Sequence, residues 1–201
     1  MITEKDTIKC EAVFNEERTH RFLWKRVWDK DKPLACVVML NPCLSDNMVM
    51  DTTTFLVVNN VAMLEEYGGV AVVNLFSLLT PKLGFRWMDD DQLNDPSNDD
   101  FIKKAAEEAG VVILAWGKAW DSNARIYQRG EQVIALLDSC KEKLRVLGDG
   151  GRVGLHPLTP SIRGRWWLEP IDVWLEQSRT LAKERDKKLA VQELVSSVQE
   201  K

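Results

Sequence analysis

A chain of 201 residues is the right length for one domain with a sizeable core, and a content of 45% hydrophobic and 29% charged residues excludes an intrinsically disordered chain. A formal charge of −4 excludes strong sequence-independent binding to nucleic acid, which rests on many cationic contacts to phosphate, so any such contact is expected to be local. The start, MITEKDTIKC, has no basic region followed by an apolar run, and nowhere do about 18 apolar residues follow one another, so neither a signal peptide nor a membrane span is expected and the location is read as cytoplasmic.

Two short extended runs, around Ala12 to Phe14 and Arg21 to Trp28, flank the polar stretch Asn15 to Thr19 and predict an initial hairpin. After Pro33 the run LACVVML, Leu34 to Leu40, is nearly continuous in apolar residues, as strands buried on both faces are, and it ends at Asn41-Pro42. Residues 51–66 predict a helix, Gly68-Gly69 its stop, and VAVVNLF, Val70 to Phe76, a second buried strand. Asp95-Pro96-Ser97 introduces a helix from Asp99 to Ala109, and VVILAW, Val111 to Trp116, is a third buried strand closed by Gly117. A helix over 121–139 and a short strand from Leu144 to Leu147 complete the alternation. Such alternation predicts a mostly parallel sheet of about four strands plus the hairpin, with helices on both faces, forming a single α/β domain over 1–170. Residues 171–201 read as a helical extension. Its charged run Lys183 to Lys188 precedes apolar residues at helical spacing, Val191, Leu194, Val195 and Val198, which pack back on the domain or meet a protein partner.

Open α/β sheets bind ligands outside the carboxyl ends of their strands, which directs attention to the segments after Leu40, Val73, Trp116 and Leu147. Asn41-Pro42 is a rigid turn whose carboxamide offers a donor and an acceptor, and it reads either as a plain turn or as a ligand contact. Asn74 lies inside an apolar run, so its carboxamide, if buried, must bond to backbone or to a ligand. His156-Pro157 follows a stretch with four glycines, Gly148 to Gly154, and has Arg152, Arg163 and Arg165 nearby. Trp116 either lines a pocket or caps the sheet. The acidic residues Asp89, Asp90, Asp91, Asp95, Asp99 and Asp100 would repel a duplex if they faced the site, and otherwise form a solvated loop. Cys10, Cys36, Cys43 and Cys140 have no C-x-x-C spacing and read as reduced thiols. No metal cluster is apparent beyond Asp46 and Asp51, and neither a metal nor another cofactor is expected.

The ordered set RFLWKRVW (21–28), MLNP (39–42), DTT (51–53), VVNLF (72–76), AWG (115–117) and HPL (156–158) resembles the bacterial and phage family of domain of unknown function 1643. More distantly, NPCLS at 41–45, Asn74, and VVILAWG followed by HPLTPS are similar in kind and order to motifs of the uracil-DNA glycosylase superfamily. That resemblance implies the superfamily's three-layer α/β/α sandwich and a nucleobase, nucleotide or DNA as ligand. Asn74 would read the edge of a flipped base. Asn41, beside Pro42 and Ser45, would position water or stabilise the sugar cation, and His156 would stabilise the departing base. Trp116, Trp166 or Phe76 would stack on the base, while Arg152, Arg163 and Arg165 hold phosphate and Arg26 adds a further cation. Asn41 replaces the aspartate of other branches, which predicts weak cleavage of the N-glycosidic bond or none. The alternative is a phage or defence protein that binds a nucleotide or a partner on the same fold without cleavage.

Overall fold

The computed structural model describes residues 1–43, 48–84, 87–176 and 179. The strands are β1 (Lys9–Phe14), β2 (Arg21–Val27), β3 (Leu34–Met39), β4 (Gly69–Asn74), β5 (Ala109–Leu114), β6 (Leu144–Gly148) and β7 (Trp167–Pro170). The helices are α1 (Thr52–Met63), α2 (Asp90–Leu93), α3 (Asn98–Glu108), α4 (Ala119–Ser122) and α5 (Ala124–Leu136). All seven strands join one sheet in the order β1-β2-β4-β3-β5-β6-β7, giving a mixed α/β structure. Pairing is parallel for β4 with β3, β3 with β5 and β5 with β6, and antiparallel at both margins.

The sheet is thus larger than the four strands plus hairpin expected from the sequence. The hairpin is not an appendage, because β2 runs antiparallel along β4 from Trp24 opposite Val72 to Val27 opposite Gly69. The seventh strand, WLEP, is four residues long and partly exposed, so it carries neither the apolar run nor the alternation that reveals a strand in sequence. Similarly, the helix expected over 121–139 is divided, because Asn123 takes an extended conformation between α4 and α5. Its side chain then accepts from the backbone N–H groups of Arg125 and Ile126, which satisfies donors that a helix start otherwise leaves without partners.

Alternation along the central strands sends side chains to two clusters on opposite faces. Cys36, Val38, Ala71, Val73, Val112, Leu114 and Val146 belong to one cluster, with Ile102 and Ala106 of α3 and Val133 of α5. Their neighbours Ala35, Val37, Val70, Val72, Val111, Ile113 and Leu147 belong to the other, with Val57 and Val61 of α1. Burial on both faces explains the long apolar runs, since no position of β4 is left to water. Ile171 and Trp174, in the helical stretch 171–176, are also buried in the first cluster. The charged run from Lys183 and the apolar series from Val191 lie outside the described residues. Among the described residues, no helix is long and apolar enough to cross a membrane.

Candidate functional site

A cavity of about 480 Å³ opens at the carboxyl ends of the parallel strands. Met39, Leu40 and Asn41 enter it from the end of β3, Asn74 from β4, Trp116 from beyond β5, and His156 and Leu158 from the loop after β6. Asp51, Thr53 and Thr54 come from the start of α1. Because β2 runs against β4, its first residue arrives at this same end of the sheet and brings Arg21 into the wall.

Asn74 is held by the sheet itself. It sits opposite Met39, and the pairing continues past both strands through Leu75 N–H to Met39 C=O, 2.9 Å, and Phe76 N–H to Leu40 C=O, 3.0 Å. Two long side chains clamp the same backbone: Asn98 Nδ2 donates to the Asn74 carbonyl at 3.0 Å, and Arg129 Nε to the Leu75 carbonyl at 2.8 Å. The Asn74 side chain is 1% exposed, and its Nδ2 is buried with no hydrogen-bond partner. Leaving such a donor unmatched costs about 1–3 kcal/mol, which a ligand acceptor would recover.

Asn41 is tied from its other end. Its Nδ2 donates to the Thr80 carbonyl at 2.8 Å and the Pro42 carbonyl at 3.1 Å, which fixes the carboxamide plane and leaves Oδ1 as its acceptor.

His156 Nδ1 accepts from the backbone N–H of Leu158 at 3.1 Å, so a neutral ring carries its proton on Nε2 and is a donor there. Burial lowers the His156 pKa, against the opposing pull of the Asp51 charge, so the ring is held neutral. Its position depends on Gly117, where the backbone has φ +70° and a Cβ would come within 2.7 Å of the His156 Cβ. This is the physical content of the Trp-Gly pair at the end of the third buried strand.

Asp51 is the N-cap of α1. One oxygen accepts from the N–H groups of Thr53 and Thr54, at 2.7 and 3.0 Å. The other accepts from Thr54 Oγ1, at 2.9 Å, and from the Cys43 thiol. Burial alone would raise its pKa, but these donors together leave it below the usual carboxylate value. Arg21, only 3% exposed, has its pKa lowered by burial, with Cys43 and Asp51 acting in the opposite sense.

The structure therefore brings Asn41, Asn74, Trp116 and His156 to one cavity and leaves other sequence candidates off its wall. Arg26 lies over the Trp24 ring, 5.2 Å from its centroid. Arg152 pairs with Asp149 at 2.6 Å and reaches Ser161 at 3.0 Å. Arg163 donates to the Leu158 carbonyl at 2.7 Å, beside the cavity rather than in it. Ser45 lies outside the described residues, and Pro42 is next to the wall. Trp166 is buried in the second cluster, while Phe76 lines a neighbouring depression. None of the acidic residues Asp89, Asp90, Asp91, Asp95, Asp99 and Asp100 lines this cavity: Asp90 pairs with Arg125, Asp99 with Arg129, and Asp95 accepts from the Ser97 N–H. Sequence reading also passed over Arg21, Thr53, Thr54, Thr80 and Lys118, all on the wall. An aspartate followed by three threonines at the start of an expected helix was a capping signature that pointed to part of this group.

No curated protein and no solved structure matches the chain. A family model described as "Protein of unknown function (DUF1643)" matches residues 21–158. The match begins on Arg21 and ends on Leu158, the first and last residues of the cavity wall. The chain belongs to the DUF1643 family.

Proposed function

We propose that the cavity takes a planar nucleobase and that the protein is a glycosylase-like hydrolase acting at the N-glycosidic bond of a modified or mismatched base. The observation that carries this reading is the buried, unmatched Nδ2 of Asn74 in a cavity that His156 also lines. An amide on a strand end reads a base edge through paired donor and acceptor, and the apolar Met39, Val72 and Trp116 offer surface to the ring faces. A volume of about 480 Å³ suits a ligand of this size. Parallel strands in the order β4-β3-β5-β6, with helices contributing to the cores of both faces, support the three-layer sandwich of the uracil-DNA glycosylase superfamily. Phosphate contacts would fall to Lys118 on the wall and to Arg163 beside it, since Arg152 is engaged with Asp149.

The test is incubation with oligonucleotides carrying uracil, mismatches and modified pyrimidines, followed by alkali to reveal abasic sites. Strand scission by the wild type, reduced roughly 10²- to 10³-fold in His156→Ala and in Asn41→Ala, is the expected result. Equal scission by wild type and both variants would sink the assigned roles. The non-catalytic alternative is favoured by Asn41, an amide that cannot take a proton from water as a carboxylate does. Base binding without scission would select it.

The neutral state of the histidines makes a separate prediction. Burial lowers the pKa of both His20 and His156, so the unfolded chain binds protons more readily than the folded one below the ordinary histidine value of about 6.5. Their contribution to stability is present above that value and is lost as pH falls toward the folded-state pKa. Thermal melts should show Tm falling as pH drops below about 6.5, with a shallower fall in the His20→Gln/His156→Gln double variant. An identical slope in the two proteins would refute the assignment. The loss due to Asp51, whose pKa is lowered, occurs in a separate window below the ordinary carboxylate value of about 3.9.

A further inference from the structure

Breaking a C1′–N bond by departure of the base builds positive charge on the sugar and negative charge on the base. His156 faces the second requirement with its Nε2–H. Nothing in the roles assigned from the sequence meets the first with a full negative charge, because Asn41 is neutral. The cavity wall nevertheless contains a carboxylate, ten positions further along the chain, at the start of α1.

We propose that Asp51 is the catalytic carboxylate of this site: its charge stabilises the sugar cation. This rests on the nucleobase reading above. Three features of its setting support the assignment. Asp51 lines the same cavity as Asn74 and His156, so a base held by Asn74 places its sugar within the space the three residues share. Four donors, from Thr53, Thr54 twice and Cys43, fix both carboxylate oxygens, so the charge is preorganised and needs no rearrangement as the sugar cation forms. Its charge also acts on His156, which lines the same cavity.

The step balances without a further reactant. The C1′–N bond breaks with its electron pair remaining on the base nitrogen, and the anionic base accepts a hydrogen bond from His156 Nε2–H. A water oxygen then forms the C1′–O bond. The proton released by that water passes to solvent or to the departed base, and the products are the protonated base and the abasic sugar.

Asp51→Asn tests the inference, because asparagine caps a helix as well as aspartate does and the fold should survive. On whichever oligonucleotide the wild type cleaves, single-turnover scission should fall roughly 100-fold or more while affinity for the intact strand stays within about 3-fold. A second measurement compares oligonucleotides carrying a cationic pyrrolidine or a neutral tetrahydrofuran in place of the sugar. The wild type should prefer the cation by about 10-fold or more, and Asp51→Asn should bind both alike. If Asp51→Asn does not fold, Asp51→Ser retains a capping oxygen without the charge and serves in both assays. Scission by Asp51→Asn within about 3-fold of the wild type, or an undiminished preference for the cation, overturns the role of Asp51 and leaves the nucleobase reading standing. A wild type that neither cleaves nor prefers the cation overturns the role of Asp51 together with the glycosylase reading.

Discussion

Alanine at position 117 is expected to destabilise the fold by about 2–4 kcal/mol, combining the strain of a side chain at positive φ with overpacking against a neighbour. The neighbour is His156: the new Cβ would lie 2.7 Å from the His156 Cβ and 3.3 Å from its backbone nitrogen. Backbone contacts of this kind cannot be relieved by a rotamer change, so the loop carrying His156 must move. For a chain of this size the loss corresponds to a fall in Tm of roughly 5–15 °C. Gly150 provides the control, since it also has positive φ, +84°, but a Cβ there meets nothing within 4 Å. Gly150→Ala should therefore cost only the conformational strain, about 1 kcal/mol, and leave the cavity intact. Equal Tm losses for the two variants would show that the contact with His156 contributes nothing. Under the proposed function, Gly117→Ala should also reduce base release well beyond its effect on stability, because His156 Nε2 is displaced from the breaking bond.

The second prediction separates function from stability at Asn74. Replacing it with leucine removes a buried donor that has no partner in the protein and leaves the backbone bond from Asn98 untouched. Stability is expected to be unchanged or to rise by up to about 1–2 kcal/mol, since the desolvated amide gives way to an apolar side chain of the same branched shape. Under the proposed function, base binding and any cleavage should fall roughly 10²-fold or more, because the carboxamide would no longer read the base edge. Chemical denaturation and a binding titration on the same samples provide the readout. Destabilisation of the Asn74→Leu variant by more than about 2 kcal/mol would mean that the carboxamide is structural, and the nucleobase reading would lose its main support.

The contrast between Asn74 and Asp51 shows which site features were legible in the sequence. Asn74 stood out because a carboxamide in VAVVNLF violates the apolar pattern around it, and such a violation is visible without coordinates. Asp51 violates nothing: an aspartate before threonines at a helix start is ordinary capping, and only the cavity reveals that the cap faces a shared space. Arg21 was hidden for another reason. It opens an edge-side strand where a cation is unremarkable, and its burial follows from β2 lying antiparallel beside β4. Conversely, the glycines and arginine of the 148–154 loop looked like a ligand cradle, but Arg152 is satisfied by Asp149 and Ser161 close by in the chain.

The sequence by itself determined the central strands and most of the helices between them, because apolar runs and caps act over a few residues and leave a local trace. The tertiary structure alone decided that the hairpin extends the sheet, that a four-residue strand closes its far side, and that Asn41-Pro42 and His156-Pro157 face one cavity with Asn74, Asp51 and Arg21. Those facts depend on which strands pair and in which direction, and that choice is made by burying both faces of the sheet at once, a global condition that no short stretch of residues records.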